Sequence, residues 1–243
     1  MIHLKLDATD STNSFLRELA RAGNADNWTV VSTDRQIKGR GQQGANWFSD
    51  KFKNLTFSIL IKSLKLRAKD QFLLSCAVSV GLFRTLERYD VPRLKVKWPN
   101  DILSGSLKLA GILIENSVMH EQISQSIVGV GINVNQDRFP DELPGAVSIM
   151  QLTGRTLDLE ELLRDLVAGI REEFRGIEEG KYEKLRSDYD RTLFRKDVPG
   201  MFREPGGQPF VGQILGVSES GQLMIKKEDG STTRYSHKEI EYL

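Results

Sequence analysis

Gln36-Ile37-Lys38-Gly39-Arg40-Gly41-Gln42-Gln43-Gly44-Ala45-Asn46-Trp47-Phe48-Ser49-Asp50 is unlike the rest of the chain. Gly39, Gly41 and Gly44 permit backbone conformations that a Cβ forbids and a close approach to a ligand. Lys38 and Arg40 add positive charge. Gln36, Gln42, Gln43 and Asn46 add donors and acceptors, and Trp47 adds a flat apolar face. A structural turn needs one or two glycines at most. The mixture suits a small ligand with a charged group, an amide-like group and a ring. The glycines formally match G-x-G-x-x-G, but in a dinucleotide fold a helix opens within that motif and its N-terminus holds the pyrophosphate. Here a β-rich run, Trp28 to Thr33, precedes the loop, no helical apolar spacing follows it, and Leu55 to Ile61 reads as a strand. The loop joins strand to strand, so the dinucleotide reading fails. A protein-kinase phosphate loop also joins two strands, but no His-Arg-Asp or Asp-Phe-Gly triplet accompanies it. Gly180-Lys181 is followed by Tyr182, not by the Ser or Thr of a Walker loop. An exposed hairpin tip is the bland alternative, and it leaves Trp47 and Arg40 unexplained.

Upstream of the loop, residues 1–8 form a short strand-like lead. Asp10-Ser11-Thr12-Asn13 then precedes Phe15, Leu16, Leu19 and Ala20 at helical spacing. All four polar residues are good N-caps, and capping alone accounts for them; hydroxyls aimed at a ligand are the sharper alternative. Downstream, Gln71 to Tyr89 has the apolar spacing of a core-facing helix. Leu94 to Trp98 is a strand stopped by Pro99. The turn Lys97-Trp98-Pro99-Asn100-Asp101 collects a cation, an aromatic ring, an amide and a carboxylate, more than turn chemistry asks for. Ser104-Gly105-Ser106 reads as a hairpin turn. The strand Lys108 to Glu115 carries Gly111 inside it, and the strand Gln125 to Asn135 carries Gly129 and Gly131. An interior glycine weakens a strand unless something approaches its backbone, and alternation puts Gly129, Gly131 and Asn133 on one face. Pro140 to Gly145 is a loop, followed by helices over Asp158 to Phe174 and Lys181 to Asp190. From Arg195 the texture changes to short alternating runs, Phe210 to Val217, Gln222 to Lys226 and Thr232 to Ser236, split by the hairpin signals Ser220-Gly221 and Asp229-Gly230. Such a small all-β module is marginal alone and is expected to pack on the first domain.

The 243 residues allow one large domain with a small one, here 1–192 and 193–243. Hydrophobic residues at 39% and charged residues at 28% are an ordinary globular balance, and a net charge of +1 implies no general polyanion affinity. Cys76 sits in an apolar run and reads as a buried core thiol. His3, His120 and His237 show no metal-ligand spacing, so no metal site is expected in the chain. No signal peptide or membrane-length apolar run occurs, which makes a cytoplasmic protein the expectation.

Taken together, Asp10-Ser11-Thr12-Asn13, Gln36 with Gly39-Arg40-Gly41, Trp47, Lys97-Trp98-Pro99-Asn100-Asp101, Lys108-Leu109-Ala110-Gly111-Ile112-Leu113 and Gly129-Val130-Gly131-Ile132-Asn133 resemble biotin protein ligases, in the family's order and over nearly the whole chain. The resemblance implies an α+β fold, a mixed or antiparallel sheet with packed helices of the class II synthetase type, followed by an SH3-like β-barrel. It implies activation of biotin by ATP with Mg²⁺ to biotinyl-5′-AMP, and transfer to a lysine of a biotin carboxyl carrier protein. Ser11, Thr12 and Gln36 would hydrogen-bond the ureido ring, and Asn13, Gly39 and Gln42 would also contact biotin. Arg40 and the backbone around Gly41 would hold the carboxylate and α-phosphate. Lys108 would steady developing charge, while Gly111, Gly129 and Gly131 would floor the ligand. Trp47, Lys97, Asn100 and Asn133 would serve the nucleotide, Asn133 at the adenine edge. Asp101 would face either the acceptor lysine or the metal. Two departures matter. Gln42-Gln43 replace a common Arg-Arg, which predicts weaker retention of the adenylate. The short lead before Asp10 leaves no room for the DNA-binding head of repressor members, so no DNA and no membrane partner is expected, with a monomer or homodimer. The nearest rival is a lipoate or octanoate ligase of related fold. The glycine loop is expected to close on its ligand.

Overall fold

The computed structural model describes residues 2–39, 41 and 47–243. Strands β1 (His3–Leu6), β2 (Val30–Thr33), β3 (Leu55–Lys62), β4 (Leu94–Lys97), β5 (Asp101–Ser104), β6 (Leu107–Met119) and β7 (Gln122–Ile132) form one mixed sheet in the order β1-β2-β3-β7-β6-β5-β4. β1 and β2 are parallel, because a helix, α1 (Thr12–Arg21), lies between them in the chain. The remaining neighbours are antiparallel.

Strand alternation sorts the central strands cleanly. Phe57, Ile59 and Ile61 of β3 and Val128, Val130 and Ile132 of β7 enter one large core. Across it pack α2 (Phe72–Arg88) and, after a short helix α3 (Ile149–Thr153), α4 (Leu159–Glu178) and α5 (Tyr182–Thr192). Leu162, Leu163, Leu166, Val167 and Ile170 give α4 a continuous apolar stripe, and all are buried. Cys76 is buried on α2, and desolvation pushes its thiol far above the ordinary range, so it is a packing residue. The opposite face carries Leu60 and Ile127 against Leu16 of α1 in a second, smaller core. Among the described residues no helix other than α1 packs in that core, and the same face bears the interior glycines.

The C-terminal strands β8 (Pro199–Arg203), β9 (Pro209–Val217), β10 (Leu223–Lys227), β11 (Thr232–Tyr235) and β12 (Glu241–Tyr242) form an antiparallel sheet in the order β11-β10-β9-β8-β12. The expected barrel is not closed. The end strands β11 and β12 do not pair with each other, and β12 spans only two residues. Phe202, Ile214, Leu223, Ile225 and Tyr235 join the same core as α2 and the large sheet, so the small sheet shares its apolar face with the rest of the chain. Trp98 fastens the two sheets, donating from Nε1 to the carbonyl of Gly221 at 2.9 Å.

The loop from Gln36 does join strand to strand, β2 to β3. Four short elements escaped the sequence reading. β5, β8 and β12 are too brief to show alternation, and α3 is too brief to show a helical period, although its capping box, Ser148 with Gln151, was readable.

Candidate functional site

Register builds the floor. Asp101 of β5 pairs with Gly111 of β6, Gly111 with Gly131 of β7, and Gly131 with Thr56 of β3. A second row runs Leu113, Gly129, Ser58. The glycines allow side chains from above to lie almost on the backbone. A Cβ added to Gly131 would come 2.6 Å from Cζ2 and 2.7 Å from Nε1 of Trp47, and one added to Gly111 would come 3.2 Å from Cζ3 of the same ring. A Cβ on Gly129 would instead meet Asn13, 3.0 Å from its Cγ. Gly129 is thus roofed by a helix residue, while Gly111 and Gly131 lie under the Trp47 indole. Trp47 Nε1 and Thr56 Oγ1 are both buried without a hydrogen-bond partner among the described residues, an arrangement that costs free energy until a polar group reaches them.

At the α1 end the polar residues form a connected cluster. Ser11 is the N-cap residue, yet its side chain makes no capping bond. The helix start is capped from outside: Gln36 Oε1 accepts the Thr12 amide at 3.0 Å. Backbone pairing holds Gln36 there, with Ile37 N donating to Thr9 O at 2.9 Å and Lys38 N to Asp10 O at 3.0 Å. Ser58 Oγ lies 2.7 Å from Thr12 Oγ1 and 2.6 Å from Asn13 Oδ1. The Ser11 side chain thus does not cap, and the Thr12 and Asn13 side chains bond within the cluster and to Glu115 and not to the helix start. Gly39 ends this segment; Trp47 N donates to its carbonyl at 2.9 Å, which pinches the loop closed at its base.

At the other end stands Lys108. Its ammonium is 2.8 Å from Asp101 Oδ1 but lies off the hydrogen-bonding direction, so the two form an ion pair by distance. It also sits 5.8 Å from the Trp47 ring centroid, within cation–π range. Its side chain is 41% exposed, so the charge can reach a ligand. Beside it a cleft with about 400 Å³ of empty volume is lined by Trp47, Phe48, Lys108, Asn133, Phe139, Leu143 and Ala146. One flat ring, several apolar side chains and one cation at the rim suit a planar heterocycle carrying an anionic group. Phe139 and Leu143 were missed in the sequence; apolar residues inside a polar loop were the available signal.

The remaining candidates hold structure. Asn133 donates from Nδ2 to the carbonyls of Lys108 (3.3 Å) and Val147 (3.1 Å). Its donors fasten the loop that closes the cleft, and only its oxygen is left for a ligand. Asn100 donates to Ile112 O at 2.9 Å. Lys97 lies 5.0 Å from the Tyr242 ring, directed at the C-terminal sheet. Arg40, Gln42, Gln43, Gly44 and Asn46 lie outside the described residues. Among the described residues no cluster of three His, Cys, Asp or Glu side chains could hold a metal, and no helix is long and apolar enough to cross a membrane.

A polar cluster at one end of a glycine-bearing sheet face, and at the other an apolar cleft with a lysine at its rim, suit a protein that brings two small ligands together. Comparison with known proteins agrees and is more specific. The chain belongs to the biotin/lipoate A/B protein ligase family, whose model matches residues 6–133. It is 29% identical over 234 residues to the bifunctional ligase/repressor BirA of Bacillus spizizenii, covering 95% of this chain and 71% of that one. It is 29% identical over 239 residues to the biotin–[acetyl-CoA-carboxylase] ligase of Paracoccus denitrificans, covering 93% and 94%. The structure superimposes on the biotin protein ligase of Aquifex aeolicus in complex with biotin and ATP with a TM-score of 0.83 at 26% identity, covering 100% and 99% of the two chains.

Proposed function

We propose that the chain is an ATP-dependent biotin protein ligase that activates biotin as biotinyl-5′-AMP and transfers the biotinyl group to a lysine of a biotin carboxyl carrier protein. The observation that carries this reading is Lys108, paired with Asp101 at the rim of the apolar cleft at Trp47, on the sheet face whose other end carries the hydrogen-bonding cluster at Thr12 and Gln36. The ureido ring binds at Ser11, Thr12 and Gln36, its acyl chain crosses Gly131 and Gly111, and the adenosine lies in the cleft against Trp47. Such placement requires the indole to move off the glycines and cover the ligand.

In the first step an oxygen of the biotin carboxylate forms a bond to the α-phosphorus of ATP. The bond from that phosphorus to the bridging oxygen breaks, and pyrophosphate leaves. Two anions must approach, a repulsion of several kcal/mol even at an effective dielectric near 20. Lys108, with Arg40 and the backbone at Gly41, offsets it with fixed positive charge. Mg²⁺ bound with the nucleotide would add charge neutralisation, and Asp101, the carboxylate beside Lys108, is the described side chain that would help to hold it. In the second step a neutral lysine amine attacks the acyl carbon, AMP departs with the electrons of the anhydride bond, and the amine loses a proton. Asp101, released from Lys108 as that cation turns to the phosphate, is the group placed to receive it. The enzyme acts in the cytoplasm, where its acceptor is made.

Transfer of labelled biotin to a biotin-acceptor domain, with ATP and Mg²⁺, tests the proposal against Lys108→Ala and Asp101→Asn. Loss of one fixed charge-stabilising group is expected to lower kcat about 100-fold or more in Lys108→Ala. Transfer of lipoate or octanoate in place of biotin would favour the rival acyl ligase.

A further inference from the structure

We propose that Thr56 is a specificity-determining residue of the ligand channel: its hydroxyl hydrogen-bonds a polar atom on the ring portion of the ligand and so disfavours a plain hydrocarbon acyl chain. The inference rests on the biotin reading of the site, and Thr56 lies outside every motif that carried that reading.

Register places it. Thr56 of β3 stands opposite Gly131 of β7 on one side and Thr33 of β2 on the other. Directly paired residues share a face of the sheet, so the Thr56 side chain stands on the face where the Trp47 indole covers Gly131. It is one strand spacing, about 4.8 Å, from that glycine. Along β3 the same face continues at Ser58, about 7 Å further on, where the polar cluster with Thr12 and Asn13 begins. Thr56 therefore lies between the cluster that takes the ureido ring and the glycine row that takes the acyl chain. A fused ring system spanning the two passes beside its hydroxyl.

That hydroxyl has no part in holding the fold. Thr33 Oγ1 donates to Arg35 O at 3.0 Å, and Ser58 Oγ and Thr12 Oγ1 bond each other at 2.7 Å. Thr56 is only 5% exposed, yet its Oγ1 has no hydrogen-bond partner among the described residues. Trp47 Nε1, over the adjacent glycine, is unpartnered too. A buried hydroxyl left unpaired works against folding, and valine would fill the same β-branched shape without it. A polar group retained against stability in the floor of a binding channel is accounted for by a ligand that pairs with it. Biotin carries two ureido N–H groups, a ureido oxygen and a thioether sulfur on its fused rings. A straight hydrocarbon chain carries nothing polar at this depth and leaves the hydroxyl unpaired. A site built to hydrogen-bond its substrate rejects most strongly the analogue that lacks the partner atom.

Three measurements on Thr56→Val and Thr56→Ser test this: calorimetric affinity for biotin, the octanoate dissociation constant from competition with labelled biotin, and the melting temperature of the ligand-free protein. The expected result is about tenfold weaker biotin binding in Thr56→Val, the effect of one lost hydrogen bond. Its ligand-free melting temperature is no lower than that of wild type. Octanoate binds Thr56→Val several-fold more tightly than it binds wild type, and Thr56→Ser, which keeps the hydroxyl, recovers most of the biotin affinity. A purely structural hydroxyl predicts the opposite sign of stability, so a Thr56→Val protein that melts lower or fails to fold would overturn the inference. So would an unchanged biotin affinity in Thr56→Val, no recovery in Thr56→Ser, or octanoate binding that gains nothing from the substitution. In each of these cases wild type still binds biotin. A wild-type protein that does not bind biotin would overturn the biotin reading and the inference with it.

Discussion

Replacing Gly129 with alanine puts a methyl group where Asn13 now lies. The new Cβ would stand 3.0 Å from Asn13 Cγ, 3.1 Å from Nδ2 and nearer still to Oδ1, whereas ordinary contacts run 3.4–4 Å. The neighbour is not the end of a long flexible chain. Asn13 sits in the first turn of α1, is 3% exposed, and is tied to Ser58 at 2.6 Å and Glu115 at 2.7 Å. The backbone below it is paired on both sides, to Ser58 and to Leu113, so the strand cannot drop away. Asn13 must retreat and give up both short bonds. Each buried polar group left unpaired costs about 1–3 kcal/mol, so two cost about 2–6 kcal/mol. Removing a glycine from a strand returns about 0.5–1 kcal/mol. The net loss is about 1–5 kcal/mol, equivalent to a fall in melting temperature of roughly 2–20 °C for a chain of this size. Thermal unfolding followed by circular dichroism measures it, and biotin calorimetry below the transition reports the disturbed Thr12 cluster. A variant that melts within about 1 °C of wild type and binds biotin normally would refute the reasoning. It would show that Asn13 is not held against β7.

Three further outcomes follow from the same geometry. Gly131→Ala places its methyl against the Trp47 indole and should drive the ring into water, moving the Trp47 share of the fluorescence, taken by difference from Trp47→Phe, to longer wavelength; an unmoved spectrum contradicts this. Trp98→Phe loses the bond to Gly221 O and should cost about 1 kcal/mol, with faster proteolysis within residues 193–243 as the readout; unchanged cleavage would mean the two sheets are held elsewhere. Asp188, 3% exposed, faces Lys184 at 2.6 Å, Arg84 at 2.7 Å and Arg191. Burial opposes its charge, but Lys184 and Arg84 outweigh burial and hold the carboxyl below its ordinary value. Because these cations are largely exposed, Asp188→Asn should destabilise by only about 1–3 kcal/mol at pH 7. A depressed folded pKa gives stability that is present above the unfolded value, near 4, and is lost as pH falls through the folded value. The gap between wild type and variant should therefore shrink on acidification, and melting curves at pH 7 and about pH 3 that differ equally would exclude it.

The sequence by itself settled a good deal. Periodicity separated helices from strands, because a period of two and one of 3.6 leave different apolar patterns. It rejected the dinucleotide fold, since a glycine loop followed by a strand has no helix dipole to offer a pyrophosphate. Gly111, Gly129 and Gly131 announced a close approach to the sheet, and the order of short motifs pointed to the family. What approaches each glycine was decided only in three dimensions. Asn13 over Gly129 and Trp47 over Gly131 come from segments 116 and 84 residues away, related by strand register and not by spacing. The same holds for side-chain allegiance. Asn100, Asn133 and Lys97 have the chemistry of ligand contacts, yet two of them fasten backbone carbonyls and the third faces an aromatic ring. A sequence states which donors and acceptors exist. Which of them remain free is set by what folding brings within about 3 Å.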